Sequence, residues 1–164
     1  MAIAKILQSS RLILTAASKS DILPLHQLIF SDKDVIKYTT KKPFTLEESK
    51  EFINRHFNFN SQFGFSPIFL KDSKKLIGYG GIMPFRDGYE FGYIIAKKYW
   101  KQGYGLEIAK AQLDFIQNRL KAKAYATSHP KNIASIKILE KLGLKLISVE
   151  KLNRGLRNIY TLNP

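Results

Sequence analysis

The chain has no cysteine among its 164 residues, which removes disulfide bridges, thiolate metal sites and a cysteine nucleophile from consideration. Acidic residues are scarce: 13 Asp and Glu stand against 27 Lys and Arg, a formal net charge of +14. No segment approaches the roughly 18 apolar residues of a membrane span. The opening "MAIAKILQSSRLIL" has no apolar run long enough for the core of a secretory signal. A soluble protein in a reducing cytoplasm is the expectation. Low-complexity segments and internal repeats are also missing, so neither a solenoid nor a disordered tail is indicated. With 45% hydrophobic, 12% aromatic and 24% charged residues, a chain of this length forms one domain and buries about two-thirds of its unfolded surface. The positive surplus is spread along the chain. It selects an anionic partner, such as nucleic acid, ribosome, acidic protein or a phosphorylated cofactor, or else it serves solubility.

Periodicity places the elements. "SSRLILTAA" (9–17) alternates as a strand, with Leu12 and Leu14 on one face. Ser20 is the expected N-cap of a helix carrying Ile22, Leu25, Leu28 and Ile29, with Pro24 in or just after its first turn. Thr45 and Glu48 form a capping box for a helix over 45–57, with Leu46, Ile53 and Phe57 on one face. "FGFSPIFLKDSKKLIGYGGIMPF" reads as an antiparallel hairpin with Pro67 near a strand start. A strand over 89–96 precedes a long amphipathic helix from Gly105, on which Leu106, Ala109, Leu113, Ile116 and Leu120 recur. A strand over 122–130, a helix capped by Asn132 and closed by Gly143, and the strands "LKLISVEKL" and "RNIYTL" complete the chain. The expected fold is a single α/β domain over residues 1–164, a mixed sheet of seven strands with helices on its faces.

The stretch "YWKQGYGLEIAKA" (99–111) sets a Gly-x-Gly turn between a strand and a helix N-terminus. The first N–H groups of a helix lack intrahelical partners and its dipole favours negative charge, so this turn suits a phosphate. Gly103 and Gly105 would let the backbone approach a pyrophosphate closely, and Lys97, Lys98 and Lys101 add positive charge. A dinucleotide fingerprint is excluded because Ile108 stands where the third glycine is needed, and no P-loop motif occurs.

"YEFGYIIAKKYWKQGYGLEIAKA", followed by "HPKNIASIKILEKLGL", resembles the two signature segments of the GNAT superfamily of acetyl-CoA-dependent N-acetyltransferases. It is most similar to the RimJ/RimL branch, which acetylates N-terminal amines of ribosomal proteins. "SSRLILTAASKSD", "KKLIGYGGI" and "RNIYTL" extend the resemblance over essentially the whole chain. Trp100 stands at the motif's first position, Leu139 replaces a tyrosine many relatives use as an acid, and Gly143-Leu144 replaces Gly-Phe.

The resemblance implies a mostly antiparallel seven-stranded sheet, splayed at its centre and flanked by about four helices. It implies acetyl-CoA as cosubstrate, with no metal. The backbone N–H groups of Gln102, Gly103, Tyr104, Gly105 and Leu106 would cradle the pyrophosphate. A bulged strand end at Tyr93, Ile94 and Ile95 would pair with the pantetheine. Asn132 would bond the pantetheine arm as well as cap its helix, and Lys137 would approach the 3′-phosphate or remain a solvated lysine. Glu90 is the candidate base and Ser135 the candidate donor to the leaving thiolate. The chemistry is direct attack of an amine on the thioester, for which an α-amine near pKa 7.7–8.0 needs little assistance and a lysine near 10.4 needs roughly three units.

His129, in a His-Pro loop, reads as structural, His26 and His56 fall on helices far from the motif and are set aside, and Tyr160 on the last strand is a candidate substrate contact. The acceptor most in keeping with the branch is a protein N-terminal α-amine, with ribosome association through the basic surface, no membrane, and a monomer or homodimer. A small amine, an antibiotic or a lysine side chain is the alternative. An RNA- or ribosome-binding module without catalysis is another, since eight Tyr and eleven Phe could stack bases. Loops near 30–45, 56–66, 84–89 and 150–158 carry the specificity.

Overall fold

A computed structural model describes residues 5–163. Eight strands form one sheet in the order β1-β2-β3-β4-β5-β6-β8-β7: β1 Lys5–Gln8, β2 Leu12–Thr15, β3 Gly64–Leu70, β4 Leu76–Phe85, β5 Gly88–Ile95, β6 Ala124–Ser128, β7 Lys145–Leu152 and β8 Gly155–Thr161. The count exceeds the expected seven by β1. The Ser9 N–H bonds the Leu12 carbonyl at 2.9 Å, so the run read as one strand over 9–17 turns at Ser9–Arg11 and pairs back on Lys5–Gln8.

The helices are α1 Ile22–Leu25, α2 Leu46–His56, α3 Tyr104–Asp114 and α4 Ile133–Lys141. The segment around α1 is irregular: a 3₁₀ turn at Lys19–Asp21 precedes it and a π turn at His26–Phe30 follows. Its entry is organised by Ser18 instead of Ser20, because the Asp21 carboxylate accepts from the Ser18 N–H at 2.8 Å. The α2 capping box forms as expected, Glu48 Oε2 accepting from the Thr45 N–H at 2.7 Å and Thr45 Oγ1 from the Glu48 N–H at 3.2 Å. Ile53 and Phe57 are buried, but Leu46 is 42% exposed, because Ser49 occupies the inward position one turn from Ile53. Gly143 adopts φ +86°. Its N–H and that of Leu144 bond back to Glu140 and Leu139, the paired closure that a left-handed residue permits after a helix.

Pro67 pairs with Tyr79 in mid-strand, just beyond the last β2 pair, Leu14↔Ile68, where its missing N–H costs no ladder bond. All neighbouring strands run antiparallel except β5 and β6. That parallel pairing covers only Tyr89↔Ala124 to Phe91↔Ala126, while β5 continues to Ile95 and β6 to Ser128. The sheet therefore opens beyond Phe91, as the resemblance implied.

Alternation along β5 divides the two faces. Phe91 packs with Ala109, Leu113 and Leu139 of α3 and α4, and Ile95 with Ile108. Ile94 packs with Leu25, Ile29, Phe30 and Ile53 on the opposite side. Glu90, four residues from Ile94, shares that second face. Burying side chains of this size contributes about 1.5–3 kcal/mol each, which fixes the helices on the sheet and the opening between them.

Candidate acyl-donor and acceptor sites

The turn before α3 has the geometry of an anion cradle. Gly103 sits at φ +82° at the helix N-cap position, and no side chain caps the helix. Among the described residues the N–H groups of Gln102, Gly103, Tyr104, Gly105 and Leu106 bond no protein acceptor. By contrast, α2 and α4 are capped by Thr45 and Asn132.

Arg11 holds this turn in place. Its Nη1 donates to the Gln102 carbonyl at 3.1 Å, its guanidinium lies 4.4 Å from the Tyr104 ring centre, and its Nε pairs with Glu107 Oε2 at 2.7 Å. Glu107 also accepts from Ser9 Oγ and the Arg11 N–H. Burial works to raise the Glu107 carboxyl, yet the Ser9 and Arg11 bonds hold it below the usual range. Of the three nearby lysines, Lys97 is paired with Asp34 at 2.5 Å; Lys98 and Lys101 have no carboxylate partner among the described residues.

The two glycines play different parts. Gly103 is required by its left-handed φ. A Cβ on Gly105 would lie 3.1 Å from Tyr93 Cε2 and 3.2 Å from Ile138 Cδ1. Gly105 therefore lets α3 close onto β5 and α4, rather than admitting a ligand to its own Cα.

Tyr93, Ile94 and Ile95 line the free edge of β5. The expected bulge is absent: the β4–β5 register runs unbroken from Gly78↔Ile95 to Phe85↔Gly88. Two side chains brace the strand end instead. Trp100 Nε1 donates to the Ile95 carbonyl at 2.7 Å, and the fully buried Gln112 donates through Nε2 to the Gly92 carbonyl at 3.2 Å. The sequence marked Trp100 only as a departure at a motif position. Its bracing role was open to a reader who asked where an indole N–H five residues past a strand end would find an acceptor.

On the α3/α4 side, the Tyr93 hydroxyl is covered and has no hydrogen-bond partner among the described residues. Burial pushes its phenol well above the ordinary value, with nearby Ser135 pulling the other way. Ser135 lies in the first turn of α4, its N–H donating to Asn132 Oδ1 at 3.3 Å. That bond leaves Asn132 Nδ2 without a partner among the described residues. Lys137 is exposed and unpaired among them.

Glu90 lies on the other face of β5, 7% exposed. Its Oε1 accepts from Thr127 Oγ1 at 2.7 Å and from Arg154 Nη2 at 2.5 Å, and Oε2 is unpartnered among the described residues. Arg154 comes from the turn between β7 and β8. Arg157 of β8 donates to the carbonyls of Tyr38 and Arg154 at 2.8 and 3.1 Å. Tyr38 stacks on His129 with ring centres 5.2 Å apart.

Glu90 and Ser135 thus approach the opening from opposite faces. Of the histidines set aside, His26 bonds Ser49 and His56 packs on Phe52. His129 lies beside the Glu90 cluster; burial, then Arg157 and Lys131, push its imidazole below the ordinary value. Tyr160 is 3% exposed, in the core with Phe91 and Leu144. No helix is long and apolar enough to cross a membrane among the described residues, and no group of three or more acidic or histidine side chains there could hold a metal.

The sheet opens between two parallel strands, and beside the opening lies a helix N-terminus with no side-chain cap, a geometry that suits a phosphate group. A family model described as an acetyltransferase (GNAT) domain matches residues 11–145. The uncharacterized N-acetyltransferase YnaD of Bacillus subtilis (strain 168) is 30% identical over 118 residues, 70% of this chain and 68% of that protein. The crystal structure of a GNAT-family acetyltransferase from Bacillus anthracis superposes with TM-score 0.82 at 26% identity, covering 94% of this chain and 96% of that one. RimL, a ribosomal-protein α-N-acetyltransferase solved with coenzyme A, shares the fold at TM-score 0.74 and 18% identity over 96% of each chain. The chain belongs to the GNAT acetyltransferase family. It is an acyltransferase, and the acyl donor of its family is acetyl-CoA.

Proposed function

We propose that the chain transfers acetyl from acetyl-CoA to a protein N-terminal α-amine, in a ternary complex without a covalent enzyme intermediate. The observation that carries the donor half is the uncapped N-terminus of α3 beside the opening in the sheet. Five N–H groups without acceptors and a helix dipole suit a pyrophosphate. In this reading the N–H groups of Gln102 to Leu106 bind the pyrophosphate. Tyr93 to Ile95 offer a strand edge to the pantetheine, Asn132 Nδ2 bonds the same arm, and Lys137 approaches the 3′-phosphate. The bound thioester supplies an activated acetyl group.

Ser135 donates a hydrogen bond to the sulfur as the C–S bond breaks. Tyr93, whose hydroxyl has no partner among the described residues and lies near Ser135, is a second donor. Glu90 Oε2, reached through water, takes the proton that the amine releases as the N–C bond forms. Oε1 is already committed to Thr127 and Arg154, so Glu90 has one oxygen to offer. An α-amine near pKa 7.7–8.0 asks less of such a base than a lysine near 10.4 does, which supports the α-amine as acceptor.

The test is a mass-spectrometric screen of N-terminal peptides, internal-lysine peptides and small amines with acetyl-CoA. Transfer to peptide α-amines well ahead of the other two classes is expected. Transfer to lysine side chains or small amines alone would replace this acceptor assignment with the alternative.

A further inference from the structure

Arg157 is 4% exposed, yet it has no carboxylate partner among the described residues. Its Nη2 bonds two main-chain carbonyls, Tyr38 and Arg154, which satisfy hydrogen bonds but carry no formal charge. No hydrogen bond among the described residues uses its Nε or Nη1. The nearby carboxylate, Glu90, is taken by Arg154 at 2.5 Å. Two guanidinium groups therefore stand near one carboxylate, and only Arg154 pairs with it among the described residues.

A buried charge is ordinarily paired, because removing it from water costs several kcal/mol that main-chain dipoles only partly return. Burial, with Arg154 next, pushes the Arg157 guanidinium below its ordinary value, while Glu90 only partly opposes this. The surroundings add more positive charge. Lys37 lies over the Tyr38 ring at 5.2 Å, and Lys131 bears on His129. Beside Arg154 opens a hollow of about 420 Å³ lined by Phe85, Lys151, Leu152, Asn153 and Arg154, whose charged side chains are both cationic. The loops involved fall within 30–45 and 150–158, the segments that the sequence assigned to the acceptor.

We infer that the acceptor supplies the missing anion: the preferred substrate is a peptide with an acidic side chain within its first few residues, received by Arg157 and the Arg154 hollow. This rests on the acceptor being an N-terminal peptide. A polycationic amine, by the same electrostatics, meets the positive charges of Arg154, Arg157 and Lys151.

The experiment uses matched peptides that differ only by Glu versus Gln, or Asp versus Asn, at positions two to four, with a Lys peptide as third arm. Fluorescence anisotropy with the CoA-saturated protein reads binding whether or not transfer occurs, and kcat/KM is read in parallel. Acidic peptides are expected to bind roughly tenfold or more tighter than their amides, the scale of one hydrogen bond to a charged group. Arg157→Lys should keep part of that ratio and Arg157→Gln should bring it close to one. Equal binding of acid and amide peptides by the unaltered protein, or tighter binding of the Lys peptide, overturns the inference even if neither variant folds. Acid-selective binding without transfer to any peptide would instead fault the assigned reaction and leave the anion receptor standing.

Discussion

Replacing Gly105 with leucine tests the proposed donor cradle. The first carbon of any side chain there lies 3.1 Å from the Tyr93 ring and 3.2 Å from Ile138 Cδ1, and the three further carbons of leucine have no place in that packed seam. The first turn of α3 must lift away from β5, carrying the N–H groups of Gln102 to Leu106 with it. Overpacking of this kind costs about 1–3 kcal/mol, or about 2–12 °C in Tm for a chain of this size. The unaltered protein at a hundredfold excess of acetyl-CoA over Kd should gain about 2.7 kcal/mol, a rise of roughly 5–11 °C. Gly105→Leu should lose most of that rise as well as its own stability. Gly105→Ala is the control: it needs only a few tenths of an ångström from two side chains and gains about 1 kcal/mol of helix propensity. It should stay within a few degrees of the parent and keep the ligand-induced rise. The assay is differential scanning fluorimetry with and without acetyl-CoA. A folded Gly105→Leu protein that retains the full rise would refute the cradle, and no rise in the unaltered protein would refute the donor assignment altogether.

Glu90→Gln should lower kcat/KM by about 10²–10⁴-fold, most steeply below the pKa of the acceptor amine; an unchanged pH profile removes Glu90 from proton transfer. Ser135→Ala combined with Tyr93→Phe should reduce kcat while leaving the acetyl-CoA-induced rise in Tm intact, because Tyr93→Phe keeps the ring that packs against Gly105 and Ser135 lies on α4. Trp100→Phe removes the bond to the Ile95 carbonyl, worth about 0.5–1.5 kcal/mol, and should lower Tm by roughly 1–6 °C in the same fluorimetry. Glu107 has a carboxyl held below its ordinary value, so its contribution is complete above about pH 4.3 and disappears as pH falls through the lowered folded value. Acid unfolding of Glu107→Gln should accordingly lose less stability below pH 4.3 than the parent does.

What the sequence made legible is short-range. The Thr45/Glu48 box, the Gly143 closure and the Gly-x-Gly turn each depend on residues within one or two helical turns, and all three form as expected. The misplacements are equally physical. Ser18 and Ser20 are both good caps, and only the position of Asp21 selects between them. β1 is four residues long with two half-buried positions, too short for alternation to stand out. Leu46 satisfies the helical period and still faces outward because the inward place is filled by Ser49, whose hydroxyl bonds His26 of a different segment.

The acceptor side lies beyond short-range patterning altogether. Glu90 could be singled out from its strand, but its partner Arg154 is 64 positions away, and Arg157 reaches Tyr38 across 119. Those contacts follow from the order β5-β6-β8-β7: inserting β8 between β6 and β7 brings the β7–β8 turn back over β6 and onto the Glu90 face. The same topology separates the two sets of candidate residues. Alternation along β5 sends Glu90 to one face and Tyr93 to the other, and the opening beyond Phe91↔Ala126 is where the two faces meet. In the proposed reaction, an amine arriving on the Arg154 side would meet a thioester held on the α3/α4 side through that gap. The unbroken β4–β5 register and the braces from Trp100 and Gln112 hold its rim in place.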